Sequence, residues 1–126
     1  MKMTHLLLVA LGGALGAGAR YLLGGWLTDR WGTSFPWHTL VINAGGAFLL
    51  GVLMAVSLGR GGVSLSWRLF LGSGILGGFT TFSTLSYESI TLIAEGSTVA
   101  GVANMFGSGL IGLAAVALGV VVGRMF

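Results

Sequence analysis

The chain has no cysteine, so it can build no disulfide framework, thiolate nucleophile or sulfur-ligated zinc site. Charge is nearly as scarce. Only 7% of the 126 residues are Asp, Glu, Lys or Arg, against about 25% in soluble domains. Too few charges are present to clothe a water-facing surface. Six cations against three acids leave a scattered net charge of +3, with no basic stripe to suit nucleic acid. Histidine occurs twice, at His5 and His38, both at the ends of apolar runs, and no Asp lies inside a run to orient either. Nucleophilic and acid–base catalysis need such partners, so Ser73 and Ser108, each between glycines, are not read as nucleophiles. An enzyme is not expected. The first apolar run carries no carboxylate, which also argues against a proton-driven exporter.

What is present is apolar: 55% hydrophobic residues and a mean hydropathy of +0.97. The 24 glycines fall inside these runs, which points to helices whose backbones touch. Four runs of about 20 residues or more suit four membrane-spanning helices, at about 4–26, 38–58, 69–94 and 98–123. They form one all-α membrane domain, 1–126, with no room for a soluble one. Lys2 and Ala17-Gly18-Ala19 superficially suit a cleaved signal peptide, but the apolar stretch is long and the remaining chain is itself membrane-embedded.

Along the chain, Gly12 with Gly16 and Gly74 with Gly78 are small-residue pairs four apart, suited to close helix contact. Arg20 either snorkels to the interface or sits at a pore mouth. Asp29 to Trp37 reads as an interfacial loop ringed by Trp26, Trp31 and Trp37. His38 reads as an interfacial histidine, with no acid close by in sequence to share a metal. Thr39 and Asn43 share one helix face; Asn43 suits either an interhelical hydrogen bond or donation to an anion. Gly59 to Trp67 is a polar connector, and Ser97 a candidate helix N-cap. Asn104, Ser108 and Gly112 form one polar, small stripe.

The densest information lies in Gly77-Gly78-Phe79-Thr80-Thr81-Phe82-Ser83-Thr84-Leu85-Ser86-Tyr87-Glu88, inside the third run. Paired glycines followed by paired threonines make a weak helix. A break there would strip carbonyls of their helical partners and offer them to a cation. The other reading is close packing by small residues, with hydroxyls bonded back to the preceding turn. Glu88 is placed near the interface, since no partner stands near it in sequence to make a proton relay.

Four spans in this length, Asn43 within Val-Ile-Asn-Ala-Gly-Gly, and the run from Gly77 to Thr84 together resemble the Fluc, or CrcB, fluoride channels over essentially the full chain. The resemblance implies a multi-pass protein of the cell membrane that lets cytoplasmic fluoride leave passively and so relieves its toxicity. It implies a third helix broken mid-membrane and an antiparallel, dual-topology dimer, as a homodimer or with a paired homologue of opposite orientation. Two fluoride pores then lie at the interface. The resemblance places Asn43 and Phe82 on the fluoride path, with Thr39, Thr81, Ser83, Thr84, Asn104 and Ser108 as further polar groups, and Arg20 at the vestibule. It further implies a central, non-transported Na⁺ on backbone carbonyls at Gly77 and Thr80. Two departures stand out: Leu85 replaces a usual phenylalanine, and Asn104 stands where tyrosine is common. A non-conducting scaffold, held in a complex through its glycine-rich faces, is the alternative reading.

Overall fold

A computed structural model describes residues 1–126, and all of its regular structure is helical. Helix α1 spans Met3–Trp31, α2 Trp37–Ser57 and α6 Thr98–Gly123. Between them the third span, Leu65–Ala94, is assembled from pieces. These are α3 (Leu65–Arg68), a π-helical stretch (Leu69–Leu76), α4 (Gly77–Phe79) and α5 (Phe82–Ala94). Four helices are thus long and apolar enough to cross a bilayer, at 29, 21, 30 and 26 residues.

Two sequence readings change. The segment beginning at Asp29 is not loop but the last turn of α1, which stops only at Gly32 (φ 78°). No glycine or proline lies between Trp26 and that glycine, and Arg30 stacks over Trp26 one turn back, 4.5 Å from the ring centre. Ser97 does occupy the N-cap position of α6, but its side chain makes no capping bond. Ser64, inside the connector, does cap: its Oγ accepts from the Trp67 N–H at 3.4 Å.

Glycine sets how the helices meet. A Cβ on Gly12 would lie 2.5 Å from the Phe70 carbonyl oxygen, and one on Gly78 would lie 2.6 Å from the Gly13 carbonyl oxygen. Backbone therefore lies on backbone between α1 and the third span, as only glycine allows. Gly51, Gly119 and Gly123 do the same between α2 and α6. The interior left to side chains is small and largely polar. Leu27, Ile42 and Leu85 are its buried apolar members beside buried Thr39, Ser89, Asn104 and Ser108. Large apolar residues instead cover the outside, as lipid or a partner subunit requires.

Candidate functional site: the interrupted third span

At Thr80 (φ −86°, ψ 154°) and Thr81 (φ −151°, ψ 117°) the backbone leaves helical geometry for two extended residues. The local sequence explains the upstream side. Gly72, Gly74, Gly77 and Gly78 weaken the helix before the break, and the π-helical winding there is already loose. Thr81 explains the restart. Its Oγ1 accepts from the Thr84 N–H at 3.3 Å, capping α5.

The break is held open by α2. Asn43 Oδ1 accepts from the Thr81 N–H at 2.8 Å, and Asn43 Nδ2 donates to the Thr81 carbonyl at 3.0 Å. One side-chain amide thus binds both polar groups of one residue, replacing the helical ladder where it fails. From α1, Arg20 Nε donates to the Gly78 carbonyl at 3.2 Å. The break is fastened from two sides.

These bonds have a consequence for carbonyls. In an uninterrupted helix Gly77 would receive the Thr81 N–H, and Thr80 the Thr84 N–H. The first donor goes to Asn43 instead, and the second to the Thr81 hydroxyl. Both carbonyls lose their ordinary helical donors, and both residues line one groove of about 330 Å³. Asn43, Thr81, Phe82 and Ser108 share that groove, which has no charged residue in its wall. Phe82 is 71% exposed, so its ring stands clear of this chain's own packing. Leu85, one turn on, is buried and also lines the groove.

A second, wider recess of about 640 Å³ opens where Arg20, His38, Thr39, Thr81 and Thr84 come together. Thr81 lines both spaces. Thr39 Oγ1 donates to Glu88 Oε1 at 2.6 Å, and His38 Nε2 stands 3.3 Å from Glu88 Oε2. Glu88 therefore does have a basic partner, contrary to the sequence reading. The two lie fifty positions apart, so no local pattern could pair them.

The remaining candidates are dispersed. Ser83 reaches only Thr81, with 3.3 Å between hydroxyl oxygens. Asn104 is buried between α5 and α6, donating to Ser89 Oγ at 3.0 Å and accepting from Ser108 Oγ at 3.4 Å. Some hydroxyls do bond back to the preceding turn: Thr80 to Leu76, Ser86 to Phe82 and Ser89 to Leu85. These three bonds follow the packing reading of the third span. No group of three or more His, Asp or Glu side chains is placed to hold a metal.

The family described as "CrcB-like protein, Camphor Resistance (CrcB)" matches residues 7–120. A "Fluoride-specific ion channel FluC" of Thermus thermophilus is 49% identical over 119 residues, covering 94% of this chain and 93% of the relative. Proteins of the same description from Rhizobium meliloti and Chloroflexus aurantiacus are 46% and 44% identical. Their alignments cover 84% and 98% of this chain, and 85% and 98% of the respective relatives.

Proposed function

The chain belongs to the CrcB family, and from that premise we infer that it is a fluoride-specific ion channel. It is a multi-pass membrane protein that lets fluoride leave the cell passively across the plasma membrane. Its work is ion passage, as in its relatives, with no covalent step. The observation that carries the reading is Thr81, which lines the charged-rimmed recess and the uncharged groove alike. The inferred path runs from Arg20 and Thr39, past Thr81 and Asn43, to Phe82 and Ser108.

The chemistry of that path suits fluoride. A small, strongly hydrated anion gives up water only where other donors replace it. Asn43 Nδ2 carries two N–H groups, and only one is committed to Thr81. The Thr81 and Ser108 hydroxyls can rotate toward an ion. Phe82 can turn its electropositive ring edge to it. Ser83, Thr84 and Asn104 serve in support, Ser83 and Thr84 around Thr81 and Asn104 behind Ser108. A scaffold would have no use for donors lined along a groove.

The functional unit is an antiparallel dimer, of two copies or of this chain with a homologue of opposite orientation. Thr80 lies 15 residues from Leu65 and 14 from Ala94 (80 − 65 and 94 − 80), near the middle of the third span. A two-fold axis in the membrane plane then brings two breaks to one depth. The open groove, with its exposed Phe82, becomes the wall that the second subunit closes. Gly77 and Thr80 fit a structural Na⁺ on that axis. Their carbonyls have lost helical donors, and no carboxylate in the groove would favour a divalent ion. The bound ion would supply a positive charge against the carbonyl dipoles at the dimer centre. Purified protein in fluoride-loaded liposomes, assayed with a fluoride electrode, tests the reading. Rapid protein-dependent efflux supports it, and efflux no faster than from protein-free liposomes refutes it.

A further inference from the structure

Glu88 sets a problem for any anion route through the wider recess. Its carboxylate is bonded by Thr39, and Thr39 and His38 both line that recess. A hydroxyl has one proton to donate, and Thr39 gives its proton to Glu88 Oε1. While that bond stands, Thr39 offers an arriving anion only oxygen lone pairs, beside a negative charge. His38 is the one titratable cation in contact with the carboxylate. The pair is partly shielded from water, with the His38 and Glu88 side chains 27% and 18% exposed. Electrostatic effects are stronger there than in bulk solvent.

The other ionisable groups facing the recess come from α1: Arg20, Tyr21 and Asp29. Arginine and tyrosine keep their protonation state across the neutral range, and an ordinary aspartate is ionised throughout it. Histidine is the side chain whose ordinary charge change falls between about pH 5 and pH 8. Its imidazolium has two N–H donors and a full positive charge, whereas neutral imidazole offers one donor and no charge.

We propose that His38 is the residue that sets anion access at this mouth. Protonated, it neutralises the Glu88 carboxylate through Oε2, on the side away from the Thr39 bond, and so removes the repulsion that fluoride meets at this mouth. Neutral, it leaves the carboxylate to repel fluoride. Fluoride conduction is therefore acid-enhanced, through one imidazole on each mouth. The inference rests on the fluoride-channel reading above, and adds a residue which that path does not use.

The test is fluoride flux through the purified wild-type protein in liposomes, with pH set equally on both sides. The range is about pH 5.5 to about pH 8, which brackets ordinary histidine titration. Protein-free liposomes are subtracted at each pH to remove leak of hydrogen fluoride. Flux is expected to be about threefold or more higher at the acidic end, from removal of a like charge beside the path. His38→Gln keeps an N–H for Glu88 but cannot charge, and its profile should be flat. Glu88→Gln removes the repelling charge and should also flatten the profile. Wild-type flux that is present but independent of pH overturns the proposal. An acid-enhanced profile surviving in either variant also overturns it, since another group would then be titrating. Absence of wild-type fluoride flux at every pH would instead overturn the channel reading on which it rests.

Discussion

Asn43→Ala separates what holds the fold from what holds the pathway. The substitution removes both bonds to Thr81, at 2.8 and 3.0 Å, and leaves a donor and an acceptor without partners mid-membrane. Interhelical polar bonds in membranes average about 0.6 kcal/mol, because the separated helices find other partners. Two such bonds therefore shift overall stability by only about 1 kcal/mol. The local cost is larger. An unsatisfied buried polar group costs about 1–3 kcal/mol, so the break is expected to rearrange rather than keep two of them. Thr81 lines both spaces, and its displacement disturbs the residue they share. With about 1.4 kcal/mol equal to tenfold, fluoride flux should fall by about tenfold or more while the dimer still assembles. Liposome efflux gives the flux, and size-exclusion chromatography with a thermal melt gives assembly and stability. Flux within about twofold of wild type would refute the reasoning, since a displaced break of the expected cost cannot conduct normally.

Five further outcomes follow. A Cβ at Gly16 would run into the Ile75 backbone, so Gly16→Ala should destabilise by about 1–3 kcal/mol in a thermal melt. Gly18 has open space around its would-be Cβ, and Gly18→Ala should be neutral or slightly stabilising. Leu85→Phe must place a ring where Leu85 is buried beside the groove, so assembled protein with modestly altered flux is expected; loss of assembly would contradict that. Exchange into Na⁺-free buffer containing a large organic cation should abolish fluoride efflux, and Thr80→Ser should still recover it on adding Na⁺. Full activity without Na⁺ would remove the ion from the account. Lys2, Arg60, Arg68 and Arg124 lie at one end of the bundle and Arg30 at the other. The positive-inside tendency then favours cytoplasmic termini, and a C-terminal reporter should find that orientation in the majority with the reverse also present. A single orientation would require a partner inserted the other way.

The sequence disclosed whatever depends on composition or on neighbours along one helix. Sparse charge and four apolar runs define the membrane domain, and Gly12, Gly16, Gly74 and Gly78 mark faces that do touch in the structure. It did not disclose how distant side chains divide their hydrogen bonds. Asn43 was legible as an interhelical hydrogen-bonding group or an anion donor, but its grip on both ends of Thr81 joins positions 38 apart. His38 and Glu88 each looked solitary because their contact depends on how α2 crosses α5. The π-helical stretch at Leu69–Leu76 was also hidden. Glycines weaken the helix there, and Gly74 also lets its backbone lie on that of α1, a contact that no local pattern shows. The extra helical turn to Trp31 has a simpler cause: interfacial tryptophans mark depth in the membrane, and a helix can continue past that depth.

The central claim is selective passage of fluoride, and paired efflux measurements on the same purified protein test it most directly. Liposomes loaded with fluoride and, separately, with chloride are diluted into medium lacking the trapped anion, with an ionophore to balance charge. The account gives rapid protein-dependent fluoride efflux that Asn43→Ala suppresses, and chloride efflux no faster than from protein-free liposomes. Chloride leaving as fast as fluoride, or fluoride remaining trapped, would contradict it.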